Sequence, residues 1–291
     1  MFLKLLTLLL SYSNTCYNNL QDNLNYIKNH ENSSYELGIN QFITRHYYHE
    51  YYNKSKSFIK INITNGNPLD SISYNPHQFD WREHNAVSSV KNQQQCGSCW
   101  AFSSVESIEG AWAIKHNKLY NLSEQQLVDC SQSYGNNGCN GGNMDFAFNY
   151  VIDNGICTNK SYPYTAQDMG QCNQSCNKIV SISNYTNVLQ NNEHTLEKAV
   201  LLNPVSVAIQ GNKRSFQLYK SGIYNDLECG YELDHGVLLV GYGKENKQKY
   251  WIVKNSWGSD WGENGYIRIL KNINDTRGLC GIAMMPSFPV I

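Results

Sequence analysis

The chain has 291 residues, a hydrophobic content of 41%, an aromatic content of 12% and a formal net charge of -1. That is enough apolar material to bury a sizeable core. The near-neutral balance, with no run of four Lys or Arg, leaves no electrostatic footprint for nucleic acid or an acidic membrane surface.

The first stretch, "MFLKLLTLLLSYS", sets Lys4 in a short apolar segment that ends in small residues. It is too short for a bilayer span of ~20 residues, so residues 1–13 read as a secretory signal peptide cut after Ser13. No later apolar run is longer, so no membrane span is expected. Sequons at Asn32, Asn53, Asn62, Asn121, Asn159, Asn173, Asn184 and Asn274 agree with passage through a secretory pathway. Residues 14–74 are rich in Asn, Tyr, Ser and Lys and end near the turn-prone "TNGNPLDS", which puts a processing boundary close to Asn75. Within them "RHYYHEYY" begins like a zinc-binding H-E-x-x-H helix, but Asn53 stands where the second His is needed. No metal and no cofactor are expected.

From "FDWREH" onward Gly, Cys and Trp become frequent. "QQQCGSCWAF" leads into Phe102, Val105, Ile108 and Trp112 at three- and four-residue spacing, the period of an amphipathic helix. Ser98 is its expected N-cap. Cys99 then falls in the first turn, where unpaired N–H groups and the helix dipole favour a thiolate. A second helix is expected from Ser123, three residues before Gln126 in capping-box spacing. "VSVAI", "HGVLLVGYG" and "YWIVKNSWG" are short β-branched and aromatic runs that read as antiparallel strands. Helices first and strands second make an α+β protein with a helical half and a sheet half. Nine of the ten cysteines lie beyond residue 90, an odd number that leaves one thiol unpaired in an oxidising compartment unless Cys16 takes it.

The motif C-G-[SA]-C-[WY], with a His and an Asn about 130–150 residues downstream, is the local signature of papain-like proteases. "CGSCW" at 96–100 fits it, with His235 in "LDHGVLLVGYG" and Asn255 in "KNSWG"; "DWR" at 80–82, "GCNGG" at 138–142, "SYPY" at 161–164 and "WGENGYIRI" at 261–269 follow in order. Over residues 75–291 the sequence resembles the papain-family cysteine endopeptidases, in style closest to cathepsin L. The resemblance implies a two-lobed fold, a helical left lobe and an antiparallel β-barrel-like right lobe, with the active-site cleft between them.

It also implies roles. Cys99 matches the nucleophile, His235 the base that takes its proton, and Asn255 the group that orients the imidazole under the cover of Trp257. Gln93 matches the side-chain donor to the oxyanion, with the backbone N–H of Cys99 as the second donor. Gly97, Gly141 and Gly142 line the cleft and offer bare backbone to an extended peptide, although tight-turn geometry alone would also call for glycine there. Met144, Ala208, Leu233 and Met285, with Asp234 beside them, match the main specificity pocket. All but Asp234 are apolar, which implies a preference for Leu, Val or Phe at the second residue before the cut.

The family pattern pairs Cys96 with Cys139, Cys130 with Cys172 and Cys229 with Cys280, and a fourth bridge between Cys157 and Cys176 is our own addition. Cys99 is then the odd thiol. Residues 14–74 match an inhibitory propeptide in part: Asn23, Ile27 and "GINQF" (Gly38, Asn40, Phe42) fit, Thr44 replaces an acid, and the first half of the helix pattern is absent. The expectation is a monomeric zymogen of the secretory pathway, held by its own propeptide and acting on peptides and proteins in a lysosome-like compartment or outside the cell. The alternative, a catalytically silent papain-like peptide-binding protein, would be marked by an altered nucleophile, and Cys99 is intact.

Overall fold

The computed structural model describes residues 16–31, 34–45, 76–173 and 175–291. The leader at 1–13, the boundary near Asn75, the stretch from His46 to Asn53 and the sequons at Asn32, Asn53 and Asn62 lie outside the described residues.

In chain order the elements are α1 (16–28), β1 (Tyr35–Leu37), β2 (Phe79–Asp80), α2 (Cys99–His116), α3 (Glu124–Cys130), α4 (Met144–Asn154), β3 (Ile156–Cys157), β4 (Lys178–Val180), β5 (Asn184–Asn187), α5 (Glu193–Val200), β6 (Val205–Ile209), α6 (Arg214–Gln217), β7 (Tyr219–Tyr224), β8 (His235–Glu245), β9 (Gln248–Lys254), β10 (Tyr266–Leu270) and β11 (Ser287–Val290). Two apolar cores define two lobes. One gathers Trp100, Val105, Ile108, Leu127 and Phe148 from α2, α3 and α4. The other gathers Phe216, Tyr219, Tyr224, Trp251, Trp257 and Trp261 from the strand-rich half. The α+β division expected from element order is what the chain adopts.

The main sheet runs β1-β7-β10-β9-β8-β6-β11-β5, with β2 on β8. Its central pairs are antiparallel, with Ala208 opposite Gly236 and Val207 opposite Val237. The β7–β10 pair is parallel. The path is open among the described residues, β1 and β5 being its ends, so the barrel-like lobe is an open sheet.

Helix α2 departs from the amphipathic expectation. It is buried on nearly all sides, because β8, β6 and β11 pack against it from one lobe and α3 and α4 from the other. Its two buried acids are therefore matched by lysines, Lys254 buried and Lys91 partly so. Lys254 Nζ lies 2.7 Å from Glu106, Lys91 Nζ lies 2.7 Å from Glu109, and Lys91 also pairs with Glu124. An unpaired charge there would carry its full desolvation cost. The helix ends at Asn117, whose left-handed backbone (φ 53°) turns its N–H onto Ala113 O.

Helix α3 begins as its sequence suggests: Ser123 Oγ accepts from the Gln126 N–H at 3.1 Å. The reciprocal arm of the capping box is missing. The Gln126 amide instead donates to Tyr150 Oη and Gly155 O and accepts from the Cys157 N–H. All four anticipated disulfides are present, Cys96–Cys139, Cys130–Cys172, Cys157–Cys176 and Cys229–Cys280, leaving Cys16 and Cys99 free.

Candidate active site

Three chain segments meet where the lobes join: the loop from Gln93 to Cys99, the start of β8 at His235, and the residues just past β9. Cys99 opens α2 and is buried. Gly236, next to His235, lies against it so closely that a Cβ there would stand 3.2 Å from the Cys99 carbonyl oxygen. His235 is fully buried. Its Nε2 is 2.7 Å from Asn255 Oδ1. The same oxygen accepts from the Ser256 N–H at 2.8 Å, which identifies it as the amide oxygen. Nε2 must then carry the proton, and Nδ1, buried and without a hydrogen-bond partner, is the free lone pair. Trp257 stacks on the imidazole, with centroids 4.6 Å apart and planes 22° apart, and covers this bond from one face.

The electrostatics differ from the thiolate expected at a helix start. Burial pushes the Cys99 thiol up to about 11, against the opposing pull of the backbone N–H groups of Gly236 and Trp100. Burial likewise pushes His235 down to about 4, against its bond to Asn255. Desolvation thus disfavours the charged form of both groups.

Gln93 is buried, and its orientation is fixed from both ends of the amide. Ser256 Oγ donates to its Oε1 at 2.7 Å, and its Nε2 donates to Cys96 O at 3.0 Å. The primary amide has a second N–H beyond the one used on Cys96. Gly97 donates its N–H to Cys139 O at 2.9 Å, and a Cβ there would come within 2.6 Å of that oxygen. Gly141 has a φ of 108°, and a Cβ on Gly142 would stand 2.6 Å from the Trp100 ring. Close approach and turn geometry thus call for these glycines whatever else they do.

Met144 and Ala208 are fully buried in one apolar cluster, and Leu233 and Met285 pack on it half-buried. The four pocket candidates, from α4, β6 and two loops, thus belong to the same apolar cluster. Asp234 Oδ1 accepts from the Gly211 N–H at 2.7 Å, and burial pushes its carboxyl up to about 7.

The N-terminal segment sits beside this site. Strand β1 extends the sheet antiparallel to β7, with Tyr35 opposite Gly222. Asn40 Nδ2 donates to Gln217 O at 2.8 Å, Gln41 Nε2 donates to Trp257 O at 2.7 Å, and Phe42 is buried edge-on to Trp257. Asn23 on α1 donates to Ile43 O and Arg45 O, tying the helix to the strap. Arg214 stacks over Tyr26 and pairs with Asp22 at 3.1 Å.

Two supporting residues escaped the sequence reading. Ser256 orients Gln93, and Tyr164 bonds to both Gln93 O and Ser98 Oγ. The motifs "KNSWG" and "SYPY" flagged their neighbourhoods but not their contacts, which join positions far apart in the chain.

Known proteins resemble this chain in sequence and fold. The description "Papain family cysteine protease" matches residues 75–290. The chain is 45% identical over 279 residues to a probable cysteine protease, RD21C, of Arabidopsis thaliana, covering 92% of this chain and 61% of that protein. It thus spans about three fifths of the length of such curated relatives. Among solved structures, the recombinant stem bromelain precursor superposes with a TM-score of 0.86 at 39% identity, covering 96% of this chain and 92% of that one. The proform of Amb a 11, a ragweed pollen cysteine protease, gives 0.84 at 38% identity, covering 95% and 88%.

Proposed function

The chain belongs to the papain family of cysteine proteases, and on that premise we propose that it is a thiol endopeptidase working through Cys99, His235, Asn255 and Gln93. The observation that carries the reading is the 2.7 Å bond from His235 to Asn255 Oδ1, which leaves Nδ1 as the basic atom at the site of a buried free thiol. His235 takes the Cys99 proton, and the resulting thiolate adds to the peptide carbonyl carbon. The carbonyl π pair moves to oxygen, where the free N–H of the Gln93 amide and the Cys99 backbone N–H stabilise it. As the oxyanion collapses, the imidazolium hands its proton to the departing amine and an acyl-enzyme remains. Water, deprotonated by the same imidazole, then releases the acid. Asn255 keeps the tautomer and ring plane fixed through both halves.

The half-exposed Leu233 and Met285 over buried Met144 and Ala208 support an apolar side chain two residues before the cut. The contacts of residues 16–45 support reading residues 14–74 as a propeptide and 75–291 as the peptidase domain. Residues 35–37, added as a strand on β7, and Phe42, seated on Trp257, set this segment beside the imidazole. Four disulfides support a secretory or lysosome-like compartment. The direct test is labelling of the acid-treated chain with an epoxide thiol-protease inhibitor. A single adduct on Cys99 is expected; an unlabelled Cys99, or an adduct on Cys16 instead, would overturn the reading.

A further inference from the structure

Between Gln93 and Cys99 the chain makes a tight loop whose two ends carry the donors assigned above to the oxyanion. A residue remote in sequence ties those ends together. The Tyr164 hydroxyl donates to Gln93 O at 2.8 Å and lies 2.7 Å from Ser98 Oγ. Its single proton is committed to Gln93, so in the second contact Ser98 donates to the phenol oxygen. Ser98 holds the N-cap position of α2 yet makes no side-chain cap bond. Its hydroxyl is diverted from the usual capping role to Tyr164.

Tyr164 is itself held firmly. Its ring stands edge-on to Phe102 of α2 at 4.9 Å. On one side Tyr162 donates to Asp129 Oδ2 at 2.9 Å, and on the other the Thr165 N–H donates to Gln125 Oε1 at 2.9 Å. Both acceptors belong to α3, so the helical lobe fixes where the phenol stands. Burial pushes its pKa up to about 12, which keeps it a neutral donor at any acidic or neutral pH.

We propose that Tyr164 is a positioning residue of the oxyanion site: by tying Gln93 to Ser98, its hydroxyl sets the spacing between the Gln93 side-chain N–H and the Cys99 backbone N–H. The inference rests on the thiol-endopeptidase reading. A looser loop would bind substrate as before but stabilise less of the charge that develops on the carbonyl oxygen, which lowers kcat rather than raising KM.

The test uses the full chain, acid-activated, with Tyr164→Phe and Ser98→Ala. Phenylalanine keeps the contact with Phe102 and removes only the hydroxyl. For Tyr164→Phe we expect kcat to fall roughly tenfold with KM unchanged. Affinity for a peptide aldehyde, whose hemithioacetal oxygen occupies the same position, should fall by a similar factor. Alkylation of Cys99 by iodoacetamide, which forms no oxyanion, should keep its rate. Ser98→Ala should act in the same direction, and the double variant should be no worse than Tyr164→Phe alone. Unchanged kcat and aldehyde affinity in Tyr164→Phe would overturn the inference, as would an equal loss in iodoacetamide alkylation. Absence of hydrolysis by the unmutated chain would remove the thiol-endopeptidase reading itself, and this inference with it.

Discussion

Phe42 meets Trp257 edge-on with ring centroids 4.7 Å apart, and Trp257 in turn stacks on His235. The N-terminal segment therefore rests on the side chain that covers the His235–Asn255 bond. The segment and His235 thus share one aromatic stack through Trp257.

Phe42→Ala should loosen the segment while leaving every residue of the two lobes unchanged in sequence. Truncating a buried Phe typically costs about 3 to 5 kcal/mol, and Phe42 is 2% exposed. Epoxide labelling of Cys99 in the full chain at neutral pH should become several-fold faster. An unchanged labelling rate would mean that Phe42 does not govern access to the thiol.

Asp234 gives a pH signature. Burial, only partly offset by the backbone N–H groups of Gly211 and Asn212, raises its folded-state pKa from 3.8 to about 7. A raised carboxyl binds its proton more tightly when folded, so its contribution is full below the unfolded pKa and is lost as pH rises through about 7. Asp234→Asn removes the buried charge and keeps an acceptor for Gly211. The variant should be more stable than the parent at pH 8 by about 2 to 4 kcal/mol, with the gain vanishing below pH 4. Thermal melts at several pH values check this, and a gain independent of pH would contradict it.

Lys254 and Glu106 are a buried pair in which each offsets the desolvation of the other. Lys254→Met alone should cost about 3 to 5 kcal/mol, because it strands Glu106 as an uncompensated charge. The double variant Lys254→Met with Glu106→Leu should lose clearly less than the sum of the two single changes. Denaturant unfolding measures the cycle, and strict additivity would show that the two charges do not act as a pair.

Met285 tests the pocket. On the proposed reading, the parent chain should cleave peptides with Leu at the second residue before the cut at higher kcat/KM than matched Arg peptides. Met285→Glu should shift that ratio toward Arg by about tenfold or more, since a carboxylate at the pocket attracts a cation that an apolar lining rejects. A parent preference for Arg would contradict the assignment of these four residues.

The parts of this site that were legible in the sequence are the local ones. Cys99 was marked by the helix that follows it, while the roles of Cys99, His235 and Asn255 came from the resemblance of their motifs; three disulfides followed from the same resemblance, and Cys157–Cys176 from the cysteines left over. What stayed hidden depends on partners far along the chain. Periodicity gave α2 one apolar stripe, but a helix clamped between two lobes is buried all round, and its acids are matched by Lys91 and Lys254 from other segments. Tyr35 to Leu37 is too short for alternation to mark a strand, and β1 exists because β7 offers an edge. Burial, invisible in sequence, pushes the thiol pKa up rather than down. Tyr164 and Ser256 are ordinary polar residues until the fold sets them against Gln93.

The most direct measurement is peptide hydrolysis by the acid-activated full chain beside its Cys99→Ala variant. The account predicts hydrolysis of a Leu-containing peptide by the parent and loss of essentially all of it in the variant. Hydrolysis retained by Cys99→Ala would take Cys99 out of the mechanism and contradict the account at its centre.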